Sequence, residues 1–285
     1  MPIEIKPFFD QETATFTYVV SDKNTHKVAI IDSVLNYDQY SGQVSTHAAD
    51  KVINYINDNN LISEWILETH IHADHLTAAH YIKEKMGGKT GIGAKISQVL
   101  DFWIPIFNIG MDTPLDGSQF DQLFADNDLF KLGDTTIKVL HTPGHTPACV
   151  SYLIEDAVFV GDTVFMPDLG TARTDFPGGN AASMYDSIQR IFSLPDSTKI
   201  FTCHDYPPES RKENYVSTVK EQKKDNILIN ETVTKENYVK IRNKRDEGKA
   251  VPKLLLPSIQ TNLRVGKFPN PESNGKSYIK IPIKS

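Results

Sequence analysis

The 285-residue sequence predicts an α/β protein, and three observations predict it. Apolar runs of strand length alternate with stretches of helical spacing. The densest polar clusters fall just past the strand runs, where open α/β folds gather their ligands. The length suits two domains of roughly 150 residues or one α/β domain of up to about 250. Hydrophobic residues at 39% and charged residues at 23% exclude disordered, collagen-like and coiled-coil classes.

Two β-rich stretches come first, Phe16 to Val20 and Val28 to Ile31, the second ending at Asp32. Val52, Tyr55 and Ile56 give helical spacing from Ala48 to Ile56, and Trp65-Ile66-Leu67 then reads as a buried strand leading into THIHADH. Leu76, Ala79, Ile82 and Met86 predict a second amphipathic helix closed by Gly87-Gly88. Strands follow at Thr135 to Leu140, Cys149 to Ile154 and Ala157 to Val160, with HTPGHTP after the first and Gly161-Asp162 after the last. Met184, Ile188, Ile191 and Phe192 mark one face of a helix, and a strand from Lys199 to Thr202 delivers Cys203-His204-Asp205-Tyr206. From about Glu209 the chain becomes helical and charged, and Pro-rich after Val251. Residues 1–208 therefore read as the body and residues 209–285 as a helical and extended cap completing the same domain.

The net charge of −6 argues against a nucleic-acid partner, and its distribution says more. Residues 1–210 carry 13 Lys+Arg against 28 Asp+Glu, and residues 211–285 carry 17 against 8. The basic tail could serve an anionic small substrate or simply form solvated helix faces. No apolar run approaches the roughly 18 residues that cross a bilayer, so a membrane partner is not expected. The start MPIEIKPFFD lacks the pattern of a secretory or transit segment. With only two cysteines, a reducing, cytoplasmic setting is the expectation.

His70-Ile71-His72-Ala73-Asp74-His75 places four metal-competent side chains in six residues. Buried imidazoles and carboxylates need partners that an apolar interior lacks, so a metal site is the economical reading. On an extended strand end His70 and His72 would point the same way. Asp74 and His75, where the chain turns into a helix, could address a second point. The remaining ligands must come from elsewhere: His145, Asp162 and His204 each follow a strand. Cys149 and Cys203 read as small buried residues.

HxHxDH, then GHT, then GD, then a histidine after a late strand resembles the metallo-β-lactamase fold over roughly residues 10–206. That resemblance implies an αββα sandwich with a metal site along one edge. Gly170-Thr171-Ala172-Arg173-Thr174-Asp175-Phe176 with His204-Asp205-Tyr206 is similar to the persulfide dioxygenase branch. So is Leu256-Pro257-Ser258-Ile259-Gln260-Thr261-Asn262-Leu263-Arg264 in the tail. Glyoxalase II tends instead to carry Arg-Phe-Phe where Arg173-Thr174-Asp175 stands, and the dioxygenase branch often has Cys in place of Ala172.

The resemblance implies one Fe(II) per chain held by His70, His145 and Asp162, with positions left for O2 and a sulfur substrate. His72, Asp74, His75 and His204 match the positions that hold a second metal in the related hydrolases; in the dioxygenases they would orient the ligands by hydrogen bonding. The implied substrate is glutathione persulfide, oxidised to sulfite and glutathione. Arg173 would grip one of its carboxylates bidentately and Tyr206 would hydrogen-bond it; a structural Arg173–Asp175 ion pair and a core role for Tyr206 are the bland alternatives. Two other functions stay open, a di-zinc glyoxalase II-like hydrolase of glutathione thioesters and a non-catalytic metal or redox sensor. A homodimer is expected by analogy.

Overall fold

The computed structural model describes residues 2–283. Two six-stranded sheets lie face to face. The first runs β1 (Ile3–Asp10), β2 (Thr15–Asp22), β3 (Lys27–Ile31), β6 (Ile62–Leu67), β7 (Lys89–Gly93) and β8 (Gln122–Phe124). Pairing is antiparallel from β1 to β3 and parallel from β3 to β8. Between β3 and β6 stand the hairpin β4 (Asn36–Asp38) and β5 (Gln43–Ser45) and helix α1 (His47–Asp58). The second sheet runs β14 (Val216–Thr218), β13 (Lys199–Phe201), β12 (Ala157–Phe159), β11 (Val150–Ile154), β10 (Thr135–His141) and β9 (Leu129–Leu132).

Strand alternation builds four layers from this order, because successive side chains point to opposite faces. Val19, Ile30 and Ile66 turn outward onto α1, α2 (Ala79–Met86) and α3 (Ile96–Phe107). Their neighbours Tyr18, Val20, Ile31 and Leu67 turn inward and meet Val139, Tyr152 and Phe159 of the other sheet. The outer face of that sheet, with Leu140, Val158 and Ile200, packs on Met184, Ile188 and Ile191 of α4 (Ala181–Phe192). The architecture is thus the αββα sandwich expected. Asp22 ties the two sheets at one end: its carboxylate accepts hydrogen bonds from the backbone of Asn24, Thr25, Asp134 and Thr135.

After residue 208 the chain adds β14 to the sheet edge, then α5 (Val219–Asp225) and α6 (Lys235–Asp246), whose Tyr238 joins the α4 core. The Pro-rich stretch after Val251 contains α7 (Leu255–Asn262). Pro257 is tolerated there because it occupies the third helical position, where the backbone N–H has no helical acceptor. Strands β1, β7, β8, β9 and β14, the β4–β5 hairpin and α3 escape the sequence reading. α3 has Pro105 inside it and exposed Phe102 and Ile106 beside its buried face, which blurs the pattern that announces a helix. Among the described residues no helix is long and apolar enough to cross a membrane.

Candidate metal centre

The site assembles where β6, β10, β12 and β13 end. After Leu67 the chain runs without regular structure through His70–His75, and α2 begins only at Ala79. This corrects the expectation that Asp74 and His75 enter a helix. Tertiary hydrogen bonds hold the loop instead. The Leu35 N–H donates to the Leu76 carbonyl at 2.7 Å. Asn262 of α7 accepts from the Thr77 N–H at 2.8 Å and donates to the carbonyls of His72 and His75 at 2.8 and 2.9 Å.

Because the loop is not extended, His70 and His72 do not serve one point, a second correction. His70, His145 and Asp162 form one group whose candidate ligand atoms lie within 4.8 Å of one another; His72, Asp74, His75 and His204 form another on the same criterion. His70 Nε2 and His145 Nε2 stand 3.9 and 3.7 Å from Asp162 Oδ2. His204 Nε2 stands 3.1 Å from Asp74 Oδ2 and 3.4 Å from Asp162 Oδ1, so Asp162 lies between the groups.

Each imidazole is anchored through one nitrogen. His145 Nδ1 lies 2.8 Å from the Arg173 carbonyl and His70 Nδ1 3.0 Å from Thr69 Oγ1. His72 Nε2 lies 2.9 Å from Asp32, and His204 Nδ1 3.2 Å from Thr15 Oγ1. The nitrogens left over include His70 Nε2, His72 Nδ1, His75 Nε2 and His204 Nε2, buried without a hydrogen-bond partner, as is Asp162 Oδ1. Orphaned buried donors and acceptors are costly, and their convergence fits a cation. Burial, with the neighbouring His72 and His145, holds the His70 pKa well below its usual range, which keeps the ring in its neutral, metal-binding form. Burial similarly lowers His75.

Several neighbours shape the cradle that the sequence reading did not single out. Asp32, buried and at φ 53°, accepts from Thr69 N and Oγ1 at 2.8 and 2.9 Å as well as facing His72. In the sequence its one trace is an acidic residue directly after the apolar run Val28–Ile31, which does not by itself reveal the burial. Glu68, buried beside His72 at 3.4 Å, is its companion. Burial would lower the His72 pKa, but these two carboxylates outweigh it and raise it well above its ordinary value. Gly161 precedes Asp162 because at φ +52° any Cβ would sit 2.4 Å from Thr69 Oγ1.

Arg173 makes the structural ion pair: Nε and Nη2 lie 2.6 and 2.7 Å from the two Asp175 oxygens, and Nη1 donates to the Ala250 carbonyl at 2.7 Å. The bidentate edge expected to grip a substrate carboxylate is therefore occupied. Tyr206 is 50% exposed and not a core aromatic; its ring stacks on His204 at 5.9 Å. Arg264 is buried and paired with Asp112 at 2.8 Å, away from the histidines. Both cysteines are free and buried, as expected. A cavity of about 920 Å³ opens over the centre, with His145, Asp162, Arg173 and Tyr206 in its lining.

Two sheets between helices, with histidines and aspartates converging at one strand-end edge, define a metal-binding αββα protein. The sequence description of the metallo-beta-lactamase superfamily matches residues 12–204, and the chain belongs to that superfamily. A protein of Dictyostelium discoideum named Glyoxylase B2 is 51% identical over 98% of this chain and 97% of its own. The bovine protein named Persulfide dioxygenase ETHE1, mitochondrial, is 27% identical over 93% of this chain and 89% of its own. The crystal structure of ETHE1 from Myxococcus xanthus superposes with a TM-score of 0.75 at 28% identity, covering 93% of this chain and all of that one.

Proposed function

We propose that the protein is an iron-dependent persulfide dioxygenase that converts glutathione persulfide, dioxygen and water to glutathione and sulfite. The observation that carries this reading is the compact trio of His70, His145 and Asp162 beneath the cavity. Two imidazoles and one carboxylate are the donor set of non-haem iron centres that leave positions open for oxygen and substrate. The similarity to the persulfide dioxygenases over 93% of the chain supports it.

Ferrous iron in that trio would supply adjacent positions at which dioxygen and the substrate sulfur meet, removing much of the entropic barrier to their reaction. The chain's own residues do the rest. The Arg173 carbonyl fixes His145 with Nε2 turned toward Asp162. The Arg173 side chain, held by Asp175 and the Ala250 carbonyl, locks that carbonyl in place and so acts as a positioning residue. The Tyr206 hydroxyl lines the cavity beside His204 and donates to the bound persulfide. His72, Asp74, His75 and His204 orient the centre through hydrogen bonds.

A second reading has its own support. The relative at 51% identity carries a glyoxylase name, and His72, Asp74, His75 and His204 form a complete second group; together they suit a di-zinc hydrolase of glutathione thioesters. An oxygen electrode separates the two. Oxygen uptake on adding glutathione persulfide, with no cleavage of S-lactoylglutathione, is expected; thioester cleavage without oxygen uptake would replace the dioxygenase with the hydrolase.

A further inference from the structure

Besides Tyr238, the side chains that helix α6 buries are an ion pair, Arg242 and Asp246, 1% and 5% exposed. They stand one helical turn apart and face inward. For stability alone an apolar pair of similar volume would serve as well, because desolvating two charges offsets most of their attraction.

What the pair holds is the segment Thr171–Thr174, which passes beside His145. Arg242 Nη1 donates to the Thr171 carbonyl at 2.9 Å. Asp246 Oδ2 accepts from the Thr174 N–H at 2.8 Å and from the Thr174 hydroxyl at 3.2 Å. The Thr174 N–H and the Arg173 carbonyl are the two ends of one planar peptide unit, and His145 Nδ1 lies 2.8 Å from that carbonyl. Since a carbonyl only accepts, Nδ1 carries the proton and Nε2 keeps its lone pair, facing Asp162 at 3.7 Å. Carboxylate, peptide and imidazole thus form one chain of hydrogen bonds.

The other imidazole of the trio is wired in the same way. His70 Nδ1 lies 3.0 Å from Thr69 Oγ1, which donates to Asp32 Oδ2 at 2.9 Å. Each ring reaches a buried carboxylate through one neutral group, a hydroxyl for His70 and a peptide for His145. Hydrogen bonds in series polarise one another. An anion on the Thr174 N–H makes the Arg173 carbonyl a stronger acceptor, and a strongly held Nδ1–H makes the ring a better donor to a cation at Nε2.

We infer that Asp246, held by Arg242, is a positioning residue of the metal centre: acting through the 173–174 peptide, it fixes the ring and proton of His145 and strengthens its hold on a cation. The helical cap is thereby part of the site, although among the described residues Arg242 and Asp246 form no hydrogen bond to a candidate ligand. This role rests on the reading of His70, His145 and Asp162 as a metal trio, and it is the same whether the centre oxidises or hydrolyses.

Zinc(II) alone, titrated into the metal-free protein against a chelator, tests this without turnover, together with the ring N–H resonances of the zinc-loaded protein labelled at histidine. In Asp246→Asn the zinc affinity is expected to fall about tenfold, the lower end of the loss when an orienting partner is removed. The His145 Nδ1–H signal should move upfield and exchange faster with water, while the His70 signal stays. Arg242→Gln/Asp246→Asn, which leaves no unpaired charge in the core, should fold and show the same selective change. Asp22→Asn, which weakens the fold far from the centre, should keep the affinity and both signals of the parent. Unchanged affinity and an unchanged His145 signal in either folded variant of Asp246 would overturn the inference. So would an equal shift of the His70 signal, or a loss of the same size in Asp22→Asn, since either marks a general loosening. A parent that binds no zinc would overturn the trio itself, and the role of Asp246 with it.

Discussion

Around Asp162 the imidazole nitrogens of His70 and His145 stand 3.9 and 3.7 Å from Oδ2, and that of His204 stands 3.4 Å from Oδ1. Around Asp74 those of His204 and His75 stand 3.1 and 3.4 Å away. The same donor types are wired differently in the two groups. In the second, carboxylates lie close to the rings, and His72 has Asp32 and Glu68 as well, so the group can hold together through its own ion pairs. In the first, His145 and His70 are anchored by neutral partners, the Arg173 carbonyl and the Thr69 hydroxyl, and Asp162 is the one carboxylate of its group. On the proposed dioxygenase reading, the second set of ligands would serve as a scaffold for one metal held by the first.

Four expectations sharpen that contrast. The largest effect should come from Asp32→Ala, which strands the buried Thr69 N–H and His72 and removes the carboxylate that both groups lean on. A loss of about 4 kcal/mol in urea unfolding is expected; a loss below about 1 kcal/mol would show that the cradle does not depend on it.

Next comes Asp22→Asn, a control far from the metal. It should cost about 3 kcal/mol, because an amide would face donors that now converge on a carboxylate, while leaving metal content unchanged. Burial would raise the Asp22 pKa, but those hydrogen bonds hold it well below the usual carboxylate range. Its contribution is present above the unfolded pKa of about 4 and is lost as pH falls through the depressed folded value. Acid unfolding of the variant should accordingly be less steep than that of the parent below pH 4, and parallel profiles would contradict the assignment.

Asn262→Ala should follow at about 2 kcal/mol, since it unpairs three backbone groups of the histidine loop. Its diagnostic effect is on metal affinity, expected to fall about tenfold as when an orienting partner is lost. Unchanged affinity would mean that the loop holds its shape without α7. The smallest effect belongs to Arg173→Lys, which keeps the charge but loses the planar grip on Asp175. A severalfold drop in kcat with little change in KM is expected if Arg173 positions His145; a change in KM alone would return it to substrate binding.

Much of the site was legible because metal ligands are dense and chemically conspicuous: HIHADH, His145, Asp162 and His204 all announce themselves at strand ends. The alternation of residues did not give their division into two groups, which only the family resemblance implied, because it depends on the path of residues 70–75, which Asn262 and Leu35 impose from distant parts of the chain. Asp32 and Glu68 were hidden for the same reason, since a single acidic residue in sequence does not reveal that it is buried against an imidazole. The four-layer fold followed from the alternation of Tyr18, Val19 and Val20 and its counterparts. What escaped were elements whose pattern is blurred: β7, with its glycines, and α3, with Pro105 inside it and exposed Phe102 and Ile106.

The proposed centre would hold one metal on three residues, with the neighbouring four supporting it. Metal analysis of the parent, Asp162→Ala and His204→Ala proteins, purified side by side without added metal, tests it most directly. About one iron per chain is expected in the parent and in His204→Ala, and almost none in Asp162→Ala. Two zinc ions per chain in the parent, or equal metal loss in the two variants, would contradict it.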